Sequence, residues 1–272
     1  MFWMLIGGAL LFTLIVAGVL MAMRRGDEQD YQVAGPTASP SDAGAIQPEV
    51  APSGGHQRTE AAFLAEAELL TRKFLEAGRI EDLLPLVRNP GVAEARMRRH
   101  YPEGKTEAPG MAEFNTESAI SCLGTISALK VRTRGHEEKS LAFVDTPQGL
   151  KIDWESWVGW SETRWEEFLA SKPTTGRVFR LNLSPVDYYN FAFSDDKKWQ
   201  AYRLQSPDGE QSIYGYAERD SVLASRLLSP PESKQMALML ALKFPENATS
   251  DNQVLIEKFV AEGWVLETES SP

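Results

Sequence analysis

An unbroken apolar run at the start of the chain is its most pronounced pattern. Residues 2–23 carry no charged side chain, and Thr13 is the single polar one. At ~1.5 Å per residue, a helix of 22 residues spans roughly 33 Å, enough for a hydrocarbon core of about 30 Å. We therefore predict that residues 1–25 form a transmembrane anchor, with residues 2–23 in contact with the lipid bilayer.

A cleaved signal peptide is the alternative for this segment. Signal peptides have a basic first region and an apolar stretch of ~7–15 residues. Here nothing basic precedes a longer run, although the small residues of 17–22 would suit a peptidase. Arg24 and Arg25 follow the run, and the positive-inside rule then places the remaining chain in the cytoplasm. The sequence predicts a single-pass protein of the bacterial inner membrane.

Small residues recur at every fourth position within the apolar run. Ala9, Thr13 and Ala17 show this spacing, which lets two membrane helices approach closely. An oligomer formed through this helix is therefore one interpretation. A helix that faces lipid on all sides is the other.

Residues 26–58 have the composition of a disordered linker. They hold four prolines, five glycines and almost no large apolar side chain. Such a segment cannot bury enough apolar surface to offset its chain entropy. We predict a flexible tether between the anchor and a folded body that begins near Thr59.

The pattern of residues 59–173 predicts helices followed by an antiparallel sheet. Apolar residues from Phe63 to Phe74 recur every three or four positions, as on one face of a helix. Asn89 and Pro90 favour the start of a further helix. A strand at 141–144, a turn, and alternation at 150–154 indicate a β-hairpin.

Residues 174–272 are predicted to form a second α+β half. A meander of strands is expected over 177–217, with one strand at 189–193 and a hairpin turn at 195–198. The nearly continuous apolar run at 236–244 predicts a central buried strand.

A last helix is predicted from Asp251, with Leu255 and Phe259 on one face and Gly263 after its end. The predicted fold class is therefore α+β, with an N-terminal transmembrane helix, a disordered linker, and then helices packed on curved antiparallel sheets. The pattern leaves open whether residues 59–272 are one domain or two.

Composition narrows the classes of function. Lys and Arg number 28 against 38 Asp and Glu, and the formal net charge is −10. A surface of that sign repels phosphate backbones, so we expect no nucleic-acid partner. One cysteine and three histidines argue against a metal site. Because phosphate-loop and hydrolase motifs are missing, we assign no cofactor and no catalytic residue, and an enzyme is the less favoured class.

Aromatic residues supply the candidate binding chemistry. Four of the seven tryptophans fall within residues 154–165, and tyrosines recur through the second half. These side chains combine an apolar body with a polar tip, which suits a binding surface. Core packing and cross-strand pairing are the alternative. The residues assigned to ligand binding are Asp153, Trp154, Trp157, Trp160, Tyr188 and Tyr189.

The segment LAFVDTPQGLKIDWESWVGW, preceded by two or three helices, resembles the NTF2-like (cystatin-like) superfamily over about residues 60–170. The resemblance implies a conical pocket for a small molecule, with isomerase or dehydratase activity, or else a non-catalytic assembly module. Family enzymes use an inward Asp or His as base, and Asp153 is the nearest candidate. In the strand pattern, however, Asp153 alternates with the apolar face and is expected to face solvent, so no catalytic role is carried over.

Two functions therefore compete. The favoured hypothesis is a membrane-tethered, non-catalytic module that binds a protein partner or peptide on its aromatic sheet surface. The alternative is a small-molecule enzyme with an NTF2-like pocket around Asp153. A deep pocket that contains Asp153 would favour the enzyme, and an apolar interior would favour the binding module.

Overall fold

A computed structural model describes residues 58–115, 121–123, 125–228 and 235–266. The predicted anchor and all but the last residue of the predicted linker lie outside these ranges. Within them, no helix is both long enough and apolar enough to cross a membrane. All of the described residues belong to one compact unit. Its described part contains helices and antiparallel sheets, which confirms the α+β class for this part of the chain.

Helical segments precede the first sheet, as the sequence predicts. Their bounds are Glu60–Glu76 (α1), Ile80–Leu83 (α2) and Pro90–His100 (α3), with a 3-10 turn at Leu84–Leu86. Helix α1 begins at Thr59, whose hydroxyl accepts a hydrogen bond from the Ala62 N–H at 3.2 Å. Asn89 precedes α3 in a left-handed conformation, with φ of 47°. Its side chain does not cap the helix as expected, although Pro90 occupies the first helical position.

The first sheet has the strand order β1-β3-β4-β5, and β2 pairs with β3. The strands are Met111–Phe114 (β1), Ser121–Leu123 (β2), Ile126–Thr133 (β3), Glu138–Thr146 (β4) and Gly149–Ile152 (β5). All pairs are antiparallel. The β4–β5 hairpin confirms the predicted one, with Phe143 opposite Ile152. Phe143 and Leu129 pack with Phe74 and Leu75 of α1 in the first hydrophobic core.

The second sheet closes into a five-stranded barrel in the order β10-β8-β7-β6-β9. Its strands are Arg177–Pro185 (β6), Trp199–Gln205 (β7), Ser212–Glu218 (β8), Met236–Lys243 (β9) and Gln253–Glu262 (β10). Strand β9 pairs with β6 and β10, which confirms the predicted central strand. Its Leu238, Leu240 and Leu242 belong to the second hydrophobic core. The parallel pairing of β10 with β8 completes the closure.

Short helices connect these strands. Helices α4 (Trp154–Val158) and α5 (Trp165–Ser171) follow the first sheet, and α6 (Val222–Arg226) follows β8. A 3-10 turn at Phe191–Phe193 lies between β6 and β7. Trp165 and Phe168 of α5 pack against Phe179 of β6, with ring centroids 4.7 and 4.8 Å apart. Helix α5 thus packs against the barrel strands.

The predicted last helix is wrong, because its residues form strand β10. Leu255 and Phe259 do show helical spacing, but Val254 and Ile256 are buried in the barrel core. Strands β8 and β9 both present free edges to this segment, and pairing with them outweighs a weak helical pattern. Gly263 still adopts a left-handed conformation (φ 72°), at the end of a strand.

The predicted strand at 189–193 is also wrong. Strand β6 ends at Pro185, whose ring nitrogen cannot donate to a sheet ladder. The chain then forms an irregular loop, and β7 pairs back with Asn182–Pro185. The turn at Asp195 therefore ends a loop and does not join two paired strands.

Substitution of Gly159 tests how closely the end of α4 approaches the barrel. It has φ of 63°, and a Cβ there would lie 2.4 Å from Pro207 in the β7–β8 turn. Gly209 has φ of 77°, but a Cβ there would meet nothing within 4 Å. We expect both Gly→Ala variants to lose about 1 kcal/mol of unfolding free energy to backbone strain. Gly159→Ala should lose about 1–3 kcal/mol more through overpacking.

Urea unfolding followed by tryptophan fluorescence measures both variants. Equal losses for Gly159→Ala and Gly209→Ala would contradict the close approach of α4 to the β7–β8 turn.

Candidate functional site

Asp153 lies at the junction of β5 and α4. The expectation that it continues the strand and faces solvent is wrong. The strand ends at Ile152, and Asp153 is fully buried, with 0% exposed. Its Oδ1 accepts a hydrogen bond from the Ser156 N–H at 2.7 Å, so Asp153 is the N-cap of α4. Asp is a preferred N-cap, and this role ends the strand at Ile152, two residues before the end of the predicted alternation at 150–154.

Three arginines and two carboxylates form a group around Asp153, which we name the ionic cluster: Arg88, Arg96, Asp153, Glu155 and Arg180. All of them are buried except Arg96, whose side chain is 31% exposed. Arg88 Nε lies 2.5 Å from Asp153 Oδ2. Arg180 Nη2 lies 2.8 Å from Glu155 Oε2, and Arg96 pairs with the other oxygen of Glu155. The side chains of Arg88 and Arg180 are only 8% and 4% exposed. Each buried carboxylate is therefore matched by a guanidinium.

The ionic cluster joins segments that are distant in sequence. Arg180 belongs to barrel strand β6, while Glu155 belongs to α4. Arg180 Nε also donates to the Trp264 carbonyl at 2.8 Å, and Arg88 Nη1 donates to the Leu266 carbonyl at 2.7 Å. Burial lowers the pKa of the Arg180 guanidinium, while the nearby Glu155 acts in the opposite direction. The cluster thus ties α4, the barrel and the last described residues together.

The predicted tryptophans lie next to the ionic cluster, within the protein interior. Trp154 and Trp157 are buried in the first hydrophobic core. Trp157 packs edge-on against Phe74, with ring centroids 6.0 Å apart. Trp160 is half-buried, and the Arg96 guanidinium carbon lies 4.8 Å from the centroid of its ring. The structure therefore brings Asp153 and these three tryptophans into one region, as core and junction residues.

Two small cavities adjoin this region. One is lined by Arg88, Asp153 and Glu155 among others, and the second by Trp157 with residues of α1. Each has a volume of about 10 Å³, the space of roughly one water molecule. Sites for small molecules usually measure about 300–1,000 Å³. Neither cavity has the size of a substrate pocket.

Tyr188 and Tyr189 lie apart from the tryptophans, on the loop between β6 and β7. Tyr189 belongs to a separate hydrophobic cluster built on Phe193, Ala201 and Tyr216. The ring of Tyr188 stacks on Tyr214 of β8, with centroids 3.9 Å apart. The six residues assigned to ligand binding are therefore divided between two places in the fold.

Phe191 is the residue of this loop that sequence analysis missed as a candidate site. It is 64% exposed, and its φ of 49° lies in the left-handed region. For a bulky side chain this conformation costs roughly 1–2 kcal/mol. The alternation of Tyr189, Phe191 and Phe193 predicted a strand with ordinary backbone angles, so the exposed position and positive φ of Phe191 were not expected from the sequence.

We name the half-buried and exposed aromatic residues of this region the outer aromatic surface: Tyr188, Tyr189, Phe191, Trp199 and Tyr214. Polar contacts hold its loop to the barrel. The Tyr216 hydroxyl donates to the Tyr188 carbonyl and accepts from Gln253 Nε2, both at 2.9 Å. Arg219 Nη2 donates to the Tyr189 hydroxyl at 3.2 Å. The loop that carries Phe191 is therefore anchored to β8 and β10.

Comparison with models of protein families, with curated proteins and with solved structures finds no match to this chain. The resemblance to the NTF2-like superfamily stays a prediction. Within the described ranges, no group of three or more His, Cys, Asp and Glu side chains is placed to hold a metal ion.

The interior tyrosines provide a spectroscopic test of this arrangement. Burial raises the pKa of Tyr202 and of Tyr216 to about 12, against an ordinary value of about 10. An alkaline titration of the phenolate absorbance should show late-ionising tyrosines in the folded protein, and Tyr216→Phe should remove one of them. In denaturant, all seven tyrosines should ionise near pH ~10.

The same shifts predict a stability profile. The folded state holds these two protons more tightly than the unfolded state does, so their contribution is complete below about pH 10 and is lost as the pH rises toward 12. A folded protein in which every tyrosine ionises near pH ~10 would contradict the burial of Tyr202 and Tyr216.

Arg180→Met tests the ionic cluster. The substitution leaves the buried Glu155 with Arg96 as its remaining partner, and we expect a loss of about 3 kcal/mol of unfolding free energy. Arg132→Met is the matched control, because Arg132 is about half exposed where it pairs with Glu113 at 3.1 Å. That control should change stability by less than about 1 kcal/mol. Similar small effects in urea unfolding would refute the structural role of Arg180.

Proposed function

We propose that this protein is a membrane-tethered, non-catalytic binding module, and that its outer aromatic surface receives a protein partner or an extended peptide. The exposure of Phe191 in a strained backbone conformation is the observation that carries this proposal. The membrane part of the proposal is supported by the apolar run at residues 2–23 and by the linker composition of residues 26–58. A cytoplasmic body at a bacterial inner membrane remains part of it.

Folding alone does not account for the exposure and the backbone conformation of Phe191, whereas binding of a partner would account for both. A ring that is 64% exposed buries little apolar area in the folded chain. Its left-handed backbone also costs stability, and such costs concentrate at functional positions. Large aromatic side chains contribute most of the energy at many protein interfaces. A partner that covers Phe191 would bury the area that folding leaves exposed.

The surroundings of Phe191 favour recognition. Tyr188, Tyr189, Trp199 and Tyr214 are half-buried, so each keeps part of its ring accessible. The bonds from Tyr216 and Arg219 hold the loop before a partner arrives, which reduces the entropy lost on binding. Tyrosine hydroxyls at the rim can donate to backbone carbonyls of a peptide.

The pairing of the buried carboxylates supports a non-catalytic role. Asp153, the residue closest to a catalytic base, caps α4 and pairs with Arg88. Glu155 is held between Arg96 and Arg180. Both carboxylates are thus engaged in structure, beside a cavity of about 10 Å³. The small-molecule enzyme needs a larger opening at this place than the cavity provides.

Phe191→Asn separates binding from folding. Asn tolerates the left-handed conformation, so the unfolding free energy should stay equal or rise by up to about 1 kcal/mol. Loss of the ring should weaken partner binding by about tenfold or more. Crosslinking of the full chain in membrane extract, with quantitative mass spectrometry, identifies the partner, and titration with the purified partner measures its affinity.

Leu228→Asn is the matched control, because Leu228 is 73% exposed outside the outer aromatic surface. It should retain every partner of the wild type. A Phe191→Asn variant with unchanged partners and affinity would refute the proposed surface. Equal losses in both variants would show that exposed apolar area alone is responsible.

A further inference from the structure

Neutral acceptors hold Arg219 at the edge of the outer aromatic surface. Its Nε donates to the Asp196 carbonyl at 3.0 Å. Its Nη2 donates to the Trp199 carbonyl at 3.1 Å and to the Tyr189 hydroxyl at 3.2 Å. These bonds fix the position of the guanidinium, although the residue is exposed. Within the described ranges, no carboxylate oxygen lies within 4.0 Å of its nitrogens, so the positive charge has no direct counter-charge there.

Arg219 differs in this respect from most arginines of the described structure. Buried Arg180 and exposed Arg98 and Arg134, for example, each pair with a glutamate. The Nη1 group of Arg219 makes no hydrogen bond to a described residue, so its two N–H groups remain for a ligand. A guanidinium that is already held in place loses little side-chain entropy when a carboxylate binds.

Phe191 and Arg219 are close enough to contact one short segment of a partner. The Tyr189 hydroxyl contacts Arg219, and Phe191 follows Tyr189 by two residues. The Cα atoms of Tyr189 and Phe191 are therefore at most about 7 Å apart. An extended peptide rises about 3.3 Å per residue, so side chains a few positions apart can contact both residues.

From this geometry we propose that the segment recognised by the outer aromatic surface is acidic. An apolar side chain of the partner covers Phe191, and an Asp or Glu a few positions away accepts from Nη1 of Arg219. Bonds between a guanidinium and a carboxylate are charge-assisted and stronger than bonds between neutral groups. This inference rests on the proposed function and specifies the chemistry of its partner.

Carboxylates of the protein itself affect the strength of this pair. Five of them lie on the loop and at the strand ends beside it: Asp187, Asp195, Asp196, Glu218 and Asp220. The Asp195 carboxylate accepts from the backbone N–H of Lys198, and the Glu218 carboxylate lies 3.9 Å from the Lys198 ammonium group. Asp220 is exposed and directly follows Arg219. Because it repels an acidic segment, Asp220→Asn should strengthen binding of that segment.

Random dodecapeptides displayed on phage are the probe for this inference. The full chain in detergent solution is the target, and peptides that also bind Phe191→Asn are removed. The selected peptides should carry Asp or Glu within about four positions of an aromatic or aliphatic residue. Enrichment of Lys or Arg in place of Asp or Glu would overturn the inference.

Synthetic versions of the selected peptides measure the contribution of the carboxylate by fluorescence anisotropy. Replacement of the acidic residue by its amide should weaken binding to the wild type about two- to fivefold. In Arg219→Met, the acidic and amide peptides should bind equally, because the cation is absent. Arg177→Met is the matched control, since Arg177 is exposed at the start of β6 and has no carboxylate partner within the described ranges. This control should keep the wild-type preference for the acidic peptide.

Equal affinity of the wild type for both peptides would overturn the inference and leave the proposed surface intact, provided that both peptides require Phe191. Equal weakening of both peptides in Arg219→Met would also overturn it, because Arg219 would then only support the loop. Should Arg219→Met fail to fold, Asp220→Asn decides, since unchanged or weaker binding of the acidic peptide would contradict the pair. Absence of any Phe191-dependent peptide overturns the inference, whereas crosslinking with Phe191→Asn decides the proposed function separately.

Discussion

The ion pair between Arg180 and Glu155 is the interaction on which the relation of the two sheets depends. One guanidinium on barrel strand β6 contacts Glu155 of α4 and the carbonyl oxygens of Trp160 and Trp264. A guanidinium this deeply buried needs acceptors for its donors, so the segments that provide them are held in one arrangement. The two main hydrophobic cores have no residue in common, so contacts such as this polar junction and the close approach of Gly159 to Pro207 fix how the cores are arranged.

The buried charged residues and the accessible aromatic residues lie in different parts of the molecule. The carboxylates of the interior are engaged with arginines, and the tryptophans around them fill the core and the junction. The aromatic residues that keep accessible rings lie instead on the outside of the barrel, around the loop between β6 and β7. Hydrogen bonds from the Tyr216 hydroxyl to the Tyr188 carbonyl and from Arg219 to the Tyr189 hydroxyl hold that loop while Phe191 keeps an unfavourable backbone angle and remains exposed.

Local patterns predicted the elements that depend on local physics. The apolar face from Phe63 to Phe74 corresponds to α1, and the alternation at 150–154 corresponds, as far as Ile152, to β5 in its hairpin with β4. The continuous apolar run at 236–244 predicted β9, because a strand buried on both faces needs apolar residues at successive positions. Strand β10 was predicted as a helix, because the spacing of Leu255 and Phe259 suits one. Pairing with β8 and β9 makes this segment a strand.

The sequence by itself determined the α+β class, the starts of several elements and the apolar run from which the membrane anchor is predicted. These features depend on residues a few positions apart. The tertiary structure alone decided that the barrel closes, that Asp153 is buried and that Phe191 is exposed. The contacts responsible join residues far apart in the chain, 25 positions for Arg180 with Glu155 and 178 for Arg88 with Leu266. A local sequence pattern does not predict contacts between residues that far apart, because those contacts form only when the chain folds.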